Sequence, residues 1–218
     1  AAVCWTFTAI LAAPGVHHFG AVAFNRYRVV FAGTVLIAIS SFMGLWSSIP
    51  NNAMGALIGS SLVGIVVGDT ALMQALKRIG PRRNSVLFAT SAPMAAGMGF
   101  IWLGETLSAN LLIGCGLILA GVVNAVWWGR KAGGQHRLEK VSGHLGFGIL
   151  LGLTAAFGQA AGAVLAKPVV LAGADPIAAS AIRVGFAALV LLLVRALPFA
   201  WAKANAAPTP AFIWRTIS

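Results

Sequence analysis

Acidic side chains are nearly missing from this chain of 218 residues, in which Asp and Glu together number four. Charged residues of both signs make up only 9% of the sequence, whereas they make up about one quarter of a soluble protein. Hydrophobic residues reach 59%, and the mean hydropathy is +0.91. This composition excludes a soluble domain and indicates an integral membrane protein.

The sequence patterns of several enzyme and metal-binding classes are also missing. There is no Gly-x-x-x-x-Gly-Lys-Ser/Thr phosphate loop, no His-Glu-x-x-His and no Gly-x-Ser-x-Gly. Cys4 and Cys115 lie in apolar segments and are most simply buried thiols. His17 and His18 have no acidic or Cys neighbour that would complete a metal site. We therefore predict no catalytic residues, no cofactor and no metal.

Long apolar segments dominate the chain instead. A bilayer core about 30 Å thick requires roughly 20 helical residues, and Glu105 is flanked by uncharged runs of 21 and 24 residues. The runs are continuously apolar, whereas barrel strands alternate every second residue, so we predict helices. The fold class is then an all-α, polytopic transmembrane helix bundle. Seven segments are predicted, at 1–13 (ended by Pro14-Gly15), 22–45, 53–75, 84–103, 109–128, 145–166 and 177–197.

The net charge of +11 is concentrated in short connections between the apolar segments, mainly at 77–83 and 130–140. Basic connections of this kind are typical of cytoplasmic loops that lie against lipid headgroups. No soluble module is present to bind nucleic acid, so we predict the lipid bilayer as the partner of these charges.

An internal repeat relates the second and seventh segments. The ten residues from Arg28 and the ten from Arg183 share six identities, and each Arg lies about eight residues inside its segment. Both side chains would therefore sit roughly 12 Å deep. The two segments differ by five in the order of spans, so the two copies would be oppositely oriented. Inverted repeats of this kind are typical of transporters, with the substrate site at the repeat interface.

Together with this repeat, four motifs identify a family resemblance. They are Ala75-Leu76-Lys77-Arg78-Ile79-Gly80, Pro93, Leu103-Gly104-Glu105-Thr106-Leu107 and Gly116-Leu-Ile-Leu-Ala-Gly121-Val122. The chain resembles the EamA-like branch of the drug/metabolite transporter superfamily, whose members usually have ten helices. The resemblance implies that 1–129 is a first five-helix repeat truncated at its start, 130–143 a basic connecting loop, and 144–218 the first two helices of a second repeat.

The resemblance also implies a function. Family members are secondary transporters that export small organic solutes (metabolites, amino acids or drugs) across the inner or plasma membrane without ATP hydrolysis. The expected partners are a small-molecule substrate and lipid, and a homodimer is left open. The alternative is a seven-helix receptor or sensor, but the segment 177–197 lacks the Lys that a retinal protein requires.

Ionisable residues inside apolar segments are the candidates for the substrate or proton pathway, because such groups usually face the bundle interior. Asp69 could exchange protons, or it could be a structural partner of Arg28 or Arg183. The two Arg residues could recognise an anionic group of the substrate, or they could snorkel to the interface. Arg26, nearer the helix start, is expected at the membrane interface.

Uncharged residues complete the predicted pathway. Pro93 removes a backbone hydrogen bond and would bend the fourth helix. Gln74, Gln159 and Trp5 could line a cavity or join helices by hydrogen bonds. Glu105, just ahead of the fifth helix, is expected to interact with the dipole of that helix rather than with a substrate.

Overall fold

The computed structural model describes residues 12–128 and 144–196. All regular structure in these two ranges is helical, which confirms the all-α fold class. A 3₁₀ turn, Leu45–Ser48, separates the second and third helices. The helices are α1 (12–19), α2 (Ala21–Phe42), α3 (Met54–Phe88), α4 (Ser91–Leu103), α5 (Ala109–Trp128), α6 (Leu145–Leu171) and α7 (Pro176–Ala196).

Four of the described helices are long and apolar enough to cross a membrane, namely α2, α3, α6 and α7. Helix α4 and the stretch Ala109–Ala125 of α5 are apolar but shorter. Several long helices of this kind in one chain make the protein a multi-pass membrane protein.

Helix α3 folds back on itself at Gly80. This glycine has φ 79° and ψ 167°, and Pro81 directly after it begins a new helical limb. Asn84 Nδ2 donates to the carbonyl oxygen of Leu72 at 3.4 Å, although twelve residues of straight helix would separate them by about 18 Å. A single residue therefore joins the third and fourth predicted spans, and the second limb together with α4 forms the span predicted at 84–103.

The first limb of α3 contains a π-helical segment, Ser61–Asp69, in which hydrogen bonds run from i to i+5. Two glycines of α6 face this segment. A Cβ atom on Gly158 would lie 2.8 Å from the carbonyl oxygen of Val63, and a Cβ atom on Gly162 would lie 2.8 Å from Gly64 Cα. Only glycine allows the two backbones to approach this closely, so α6 and the π segment cross at these positions.

The first helix and the sixth end later than we predicted. Helix α1 runs through Pro14-Gly15 to residue 19, and the break comes at Gly20, which has φ 87°. Gly15 is used for close packing instead, because a Cβ atom there would overlap the ring of Phe24. His17 and His18 therefore lie in a helix rather than in the first connection. Helix α6 continues through Pro168 to its end at Leu171.

Candidate functional site

An ion pair between Arg28 of α2 and Asp69 of α3 is the centre of the candidate site. Arg28 Nη2 lies 2.5 Å from Asp69 Oδ2, and the side chains are 28% and 14% exposed. Asp69 is the last residue of the π segment. Of the two basic partners considered for Asp69 in the sequence, the direct contact is with Arg28.

Neighbouring amide and hydroxyl groups hold this ion pair in place. Arg28 Nη2 also donates to Asn25 Oδ1 at 3.0 Å, and Asn25 Nδ2 donates to Thr70 Oγ1 at 3.1 Å. Asn25 is fully buried and lies one turn before Arg28 on the same helix face. A second connection therefore runs by hydrogen bonds from Arg28 through Asn25 to Thr70, which is the residue next to Asp69.

Arg183 of α7 lies against the same π segment. Its Nη2 would be 3.6 Å from a Cβ atom on Gly64, and its backbone carbonyl oxygen accepts a hydrogen bond from Ser61 Oγ at 2.5 Å. Gly64 precedes Asp69 by one i→i+5 turn, so Arg183 lies within about one turn of Asp69 along the segment. Two cations and one anion, from three helices, thus meet at one level of the bundle.

The remaining predicted pathway residues lie at different distances from this cluster. Gln159 is on α6 at the glycine crossing, where its backbone nitrogen would be 3.4 Å from a Cβ atom on Gly68. Gln74 is half-buried on α3, four residues after Thr70. Trp5 lies outside the described residues.

Pro93 is the third residue of α4 and is half-buried. The helix is interrupted just before it, at Ala89 and Thr90. Proline has no N–H to donate to the carbonyl of the residue four positions earlier, which here is Ala89. The interruption between the second limb of α3 and α4 thus lies at the carbonyl that Pro93 cannot pair with, and the bend itself stays a prediction.

Sequence reasoning missed the burial of Arg26. We expected this side chain at the membrane interface, but it is 2% exposed and is the largest fully buried side chain of the described residues. It lies on α2 two residues before Arg28. Nothing in the local sequence distinguishes it from an interfacial Arg, because its burial depends on the packing of α2 against other helices.

A second ion pair lies away from the cluster. Glu105 Oε1 and Lys167 Nζ are 2.5 Å apart, and the side chains are 35% and 46% exposed. Glu105 was expected to interact with the start of α5. At the start of α5, Ser108 Oγ instead accepts a hydrogen bond from Leu111 N at 3.3 Å, and Glu105 connects the α4–α5 turn to the end of α6.

Comparison with known proteins supports the family resemblance. The family model described as "EamA-like transporter family" matches residues 1–127. A WAT1-related protein of Arabidopsis thaliana is 30% identical over 111 residues, which is 50% of this chain and 30% of that protein. The uncharacterized transporter YcbK of Bacillus subtilis (strain 168) is 26% identical over 107 residues, 46% of this chain and 34% of that protein.

The chain spans about a third of the length of the curated relatives that it matches. No solved structure gives a significant match. The arrangement of the charged cluster is therefore read from this structure alone.

Proposed function

Because the chain belongs to the EamA-like transporter family, we propose that the full-length protein is a secondary transporter of small organic solutes. Metabolites, amino acids and drugs are the substrate classes that the resemblance implies. The membrane would be the inner or plasma membrane, and transport would not depend on ATP hydrolysis. The division into a repeat at 1–129, a connecting loop at 130–143 and a second repeat from 144 is part of the same proposal.

The cluster of Arg28, Asp69 and Arg183 is the observation that carries this proposal. A charged side chain at the centre of a membrane helix costs at least roughly 2.5–3.5 kcal/mol. Three such residues, contributed by three different helices, lie close together in the structure, which would spare them contact with lipid hydrocarbon. Charges placed in this way typically mark a substrate or ion pathway.

The packing of α2 against α7 supports a pathway between repeats. Val29 shares a hydrophobic cluster with Leu191, whereas Gly33, one turn later on α2, lies against Gly185, where a Cβ atom on Gly33 would be 3.5 Å from Gly185 Cα. The contacts run in opposite directions along the two helices, so α2 and α7 are antiparallel. This is the orientation that an inverted repeat requires.

We therefore place the proposed pathway along the π segment, between α2, α6 and α7. Arg28, Asp69 and Arg183 would line its centre. Gln159, at the glycine crossing, would lie beside them. The helix interruption before Pro93 would make this side of the pathway flexible. Gln74 and Trp5 complete the set of pathway residues that we propose.

Transport by the full-length protein in proteoliposomes tests this proposal. Each of a panel of amino acids and small organic acids and bases is loaded unlabelled inside the vesicles. Counterflow is then measured as uptake of the labelled solute from outside, without ATP. We expect at least one solute to exchange faster than in protein-free vesicles, and Asp69→Asn to abolish or uncouple that exchange. Lys167→Gln removes a charge away from the cluster and serves as the matched control. Exchange of no solute above the protein-free rate would contradict the proposal.

A further inference from the structure

We infer that Arg183 recognises a single carboxylate group on the transported solute. The inference rests on the proposed transport function and adds the chemical class of the ligand. It follows from the charge balance of the cluster and from the hydrogen-bonding groups that Arg183 still offers.

Within the part of the chain that the structure describes, the cluster has two cations and one anion, and only Arg28 contacts that anion. Asp69 is in contact with Arg28, and Arg28 Nη2 is shared between Asp69 and Asn25. Arg183 forms no salt bridge with an acidic side chain in the described ranges, and it lies beside Gly64, five residues before Asp69. An uncompensated charge in a low-dielectric interior is unfavourable, so a ligand with one negative charge would neutralise the cluster. A cationic ligand would raise its charge further.

The geometry of Arg183 suits a carboxylate in particular. Among the described residues its buried Nε has no hydrogen-bond partner. Its Nη2 lies beside Gly64, where a Cβ atom would be 3.6 Å from Nη2 and 3.3 Å from Gly162 Cα. The side edge of a guanidinium, formed by Nε and one Nη, matches the two oxygens of a carboxylate. Arg28 also has a buried Nε without a partner, but its charge is already balanced by Asp69.

Arg183 remains accessible to such a ligand. Its side chain is only partly buried, unlike that of Arg26. The hydrogen bond from Ser61 Oγ to the Arg183 carbonyl oxygen fixes the backbone of α7 against the π segment. The backbone that carries the guanidinium is therefore held against the pathway, and the side chain as a whole is partly exposed.

The test compares a carboxylate with its uncharged amide. Binding of phenylacetate and of phenylacetamide to the purified full-length protein is measured by thermal stabilisation and by isothermal calorimetry. A charge-assisted hydrogen-bonded pair contributes about 1.5–3 kcal/mol, so we expect the amide to bind about 10- to 100-fold more weakly. Arg183→Gln should remove this preference, and Arg183→Lys, which keeps the charge but not the fork, should retain part of it.

Arg195→Gln is the matched control, because Arg195 is an exposed Arg in the last turn of the same helix. Size-exclusion profiles establish that each variant is folded. The inference is wrong if amide and carboxylate bind equally, or if Arg183→Gln keeps the carboxylate preference. It is also wrong if vesicles containing anionic phosphatidylglycerol stabilise the protein through Arg183 while phenylacetate does not.

The outcomes separate this inference from the proposed function. If only neutral or cationic solutes show counterflow, and Arg183→Gln does not change it, the proposed transport function stands and the carboxylate site is refuted. Counterflow of no solute at all would contradict both.

Discussion

Removing both partners of the Arg28–Asp69 pair should cost the protein about as much stability as removing only one of them. Asp69→Asn keeps the shape of the side chain but deletes the negative charge, so Arg28 is left without its counter-charge. Arg28→Gln leaves the Asp69 carboxylate similarly isolated inside the bundle. In the double variant Arg28→Gln/Asp69→Asn, two neutral amides face each other and can exchange a hydrogen bond.

The magnitude follows from the burial of the pair. Exposed ion pairs are worth about 0.2–1 kcal/mol, and breaking a buried pair by removing one partner costs about 3–5 kcal/mol. The side chains of Asp69 and Arg28 are 14% and 28% exposed, so the pair lies between these limits. We expect each single variant to lose about 2–3 kcal/mol and the double variant about the same as one single, a coupling of about 2 kcal/mol.

The free energy of unfolding of the full-length protein, measured in mixed micelles titrated with sodium dodecyl sulfate, gives this coupling. Additive single-variant losses would refute the reasoning, because they would mean that the two side chains do not interact. Transport by the double variant then separates the two roles of Asp69. We expect the double variant to be no less stable than either single variant while transport stays lost, since both residues line the proposed pathway. Recovery of transport would make Asp69 a structural counter-charge only.

Two further predictions concern packing and surface charge. Gly158→Ala should destabilise the protein by about 1–3 kcal/mol, because its Cβ atom would lie 2.8 Å from the Val63 carbonyl oxygen; Gly146→Ala on the same helix meets nothing within 4 Å and should not destabilise it. Equal losses in the two glycine variants would contradict the close crossing. Lys167→Gln should change the unfolding free energy by less than about 1 kcal/mol, because the Glu105 and Lys167 side chains of the second ion pair are each more than a third exposed. A loss of several kcal/mol in the same titration would contradict this.

The helices could be predicted from sequence because hydrophobicity is a local property. The uncharged run after Glu105 predicted α5 at both of its ends, Ala109 and Trp128. Local signals failed where packing decides the outcome. Pro14-Gly15 looks like a helix end, but Gly15 lies against Phe24 inside a continuing helix, and Gly20 provides the break.

The site was only partly predictable for the same reason. The apolar sequence around Asp69, Arg28 and Arg183 predicted all three as interior groups. No local pattern decides which Arg pairs with Asp69, because Asp69 is 41 residues from Arg28 in the sequence. The π segment before Asp69 has no sequence signature, since it forms where α6 approaches with Gly158 and Gly162. The Glu105–Lys167 pair likewise joins residues that are distant in sequence.

The fold-back at Gly80 couples the movements of the two limbs of α3. Because a single residue connects them, a displacement of the first limb also displaces the second. Lys77 and Arg78 on one side, and Arg82 and Arg83 on the other, place four cations around this joint, and each contributes about 1 kcal/mol of attraction to an anionic membrane surface. We expect these four charges to hold the turn at the level of the lipid headgroups. Asp69 is eleven residues from Gly80 along the first limb, roughly 16 Å. A small tilt of this limb about the turn would therefore move the charged cluster further than it moves the turn.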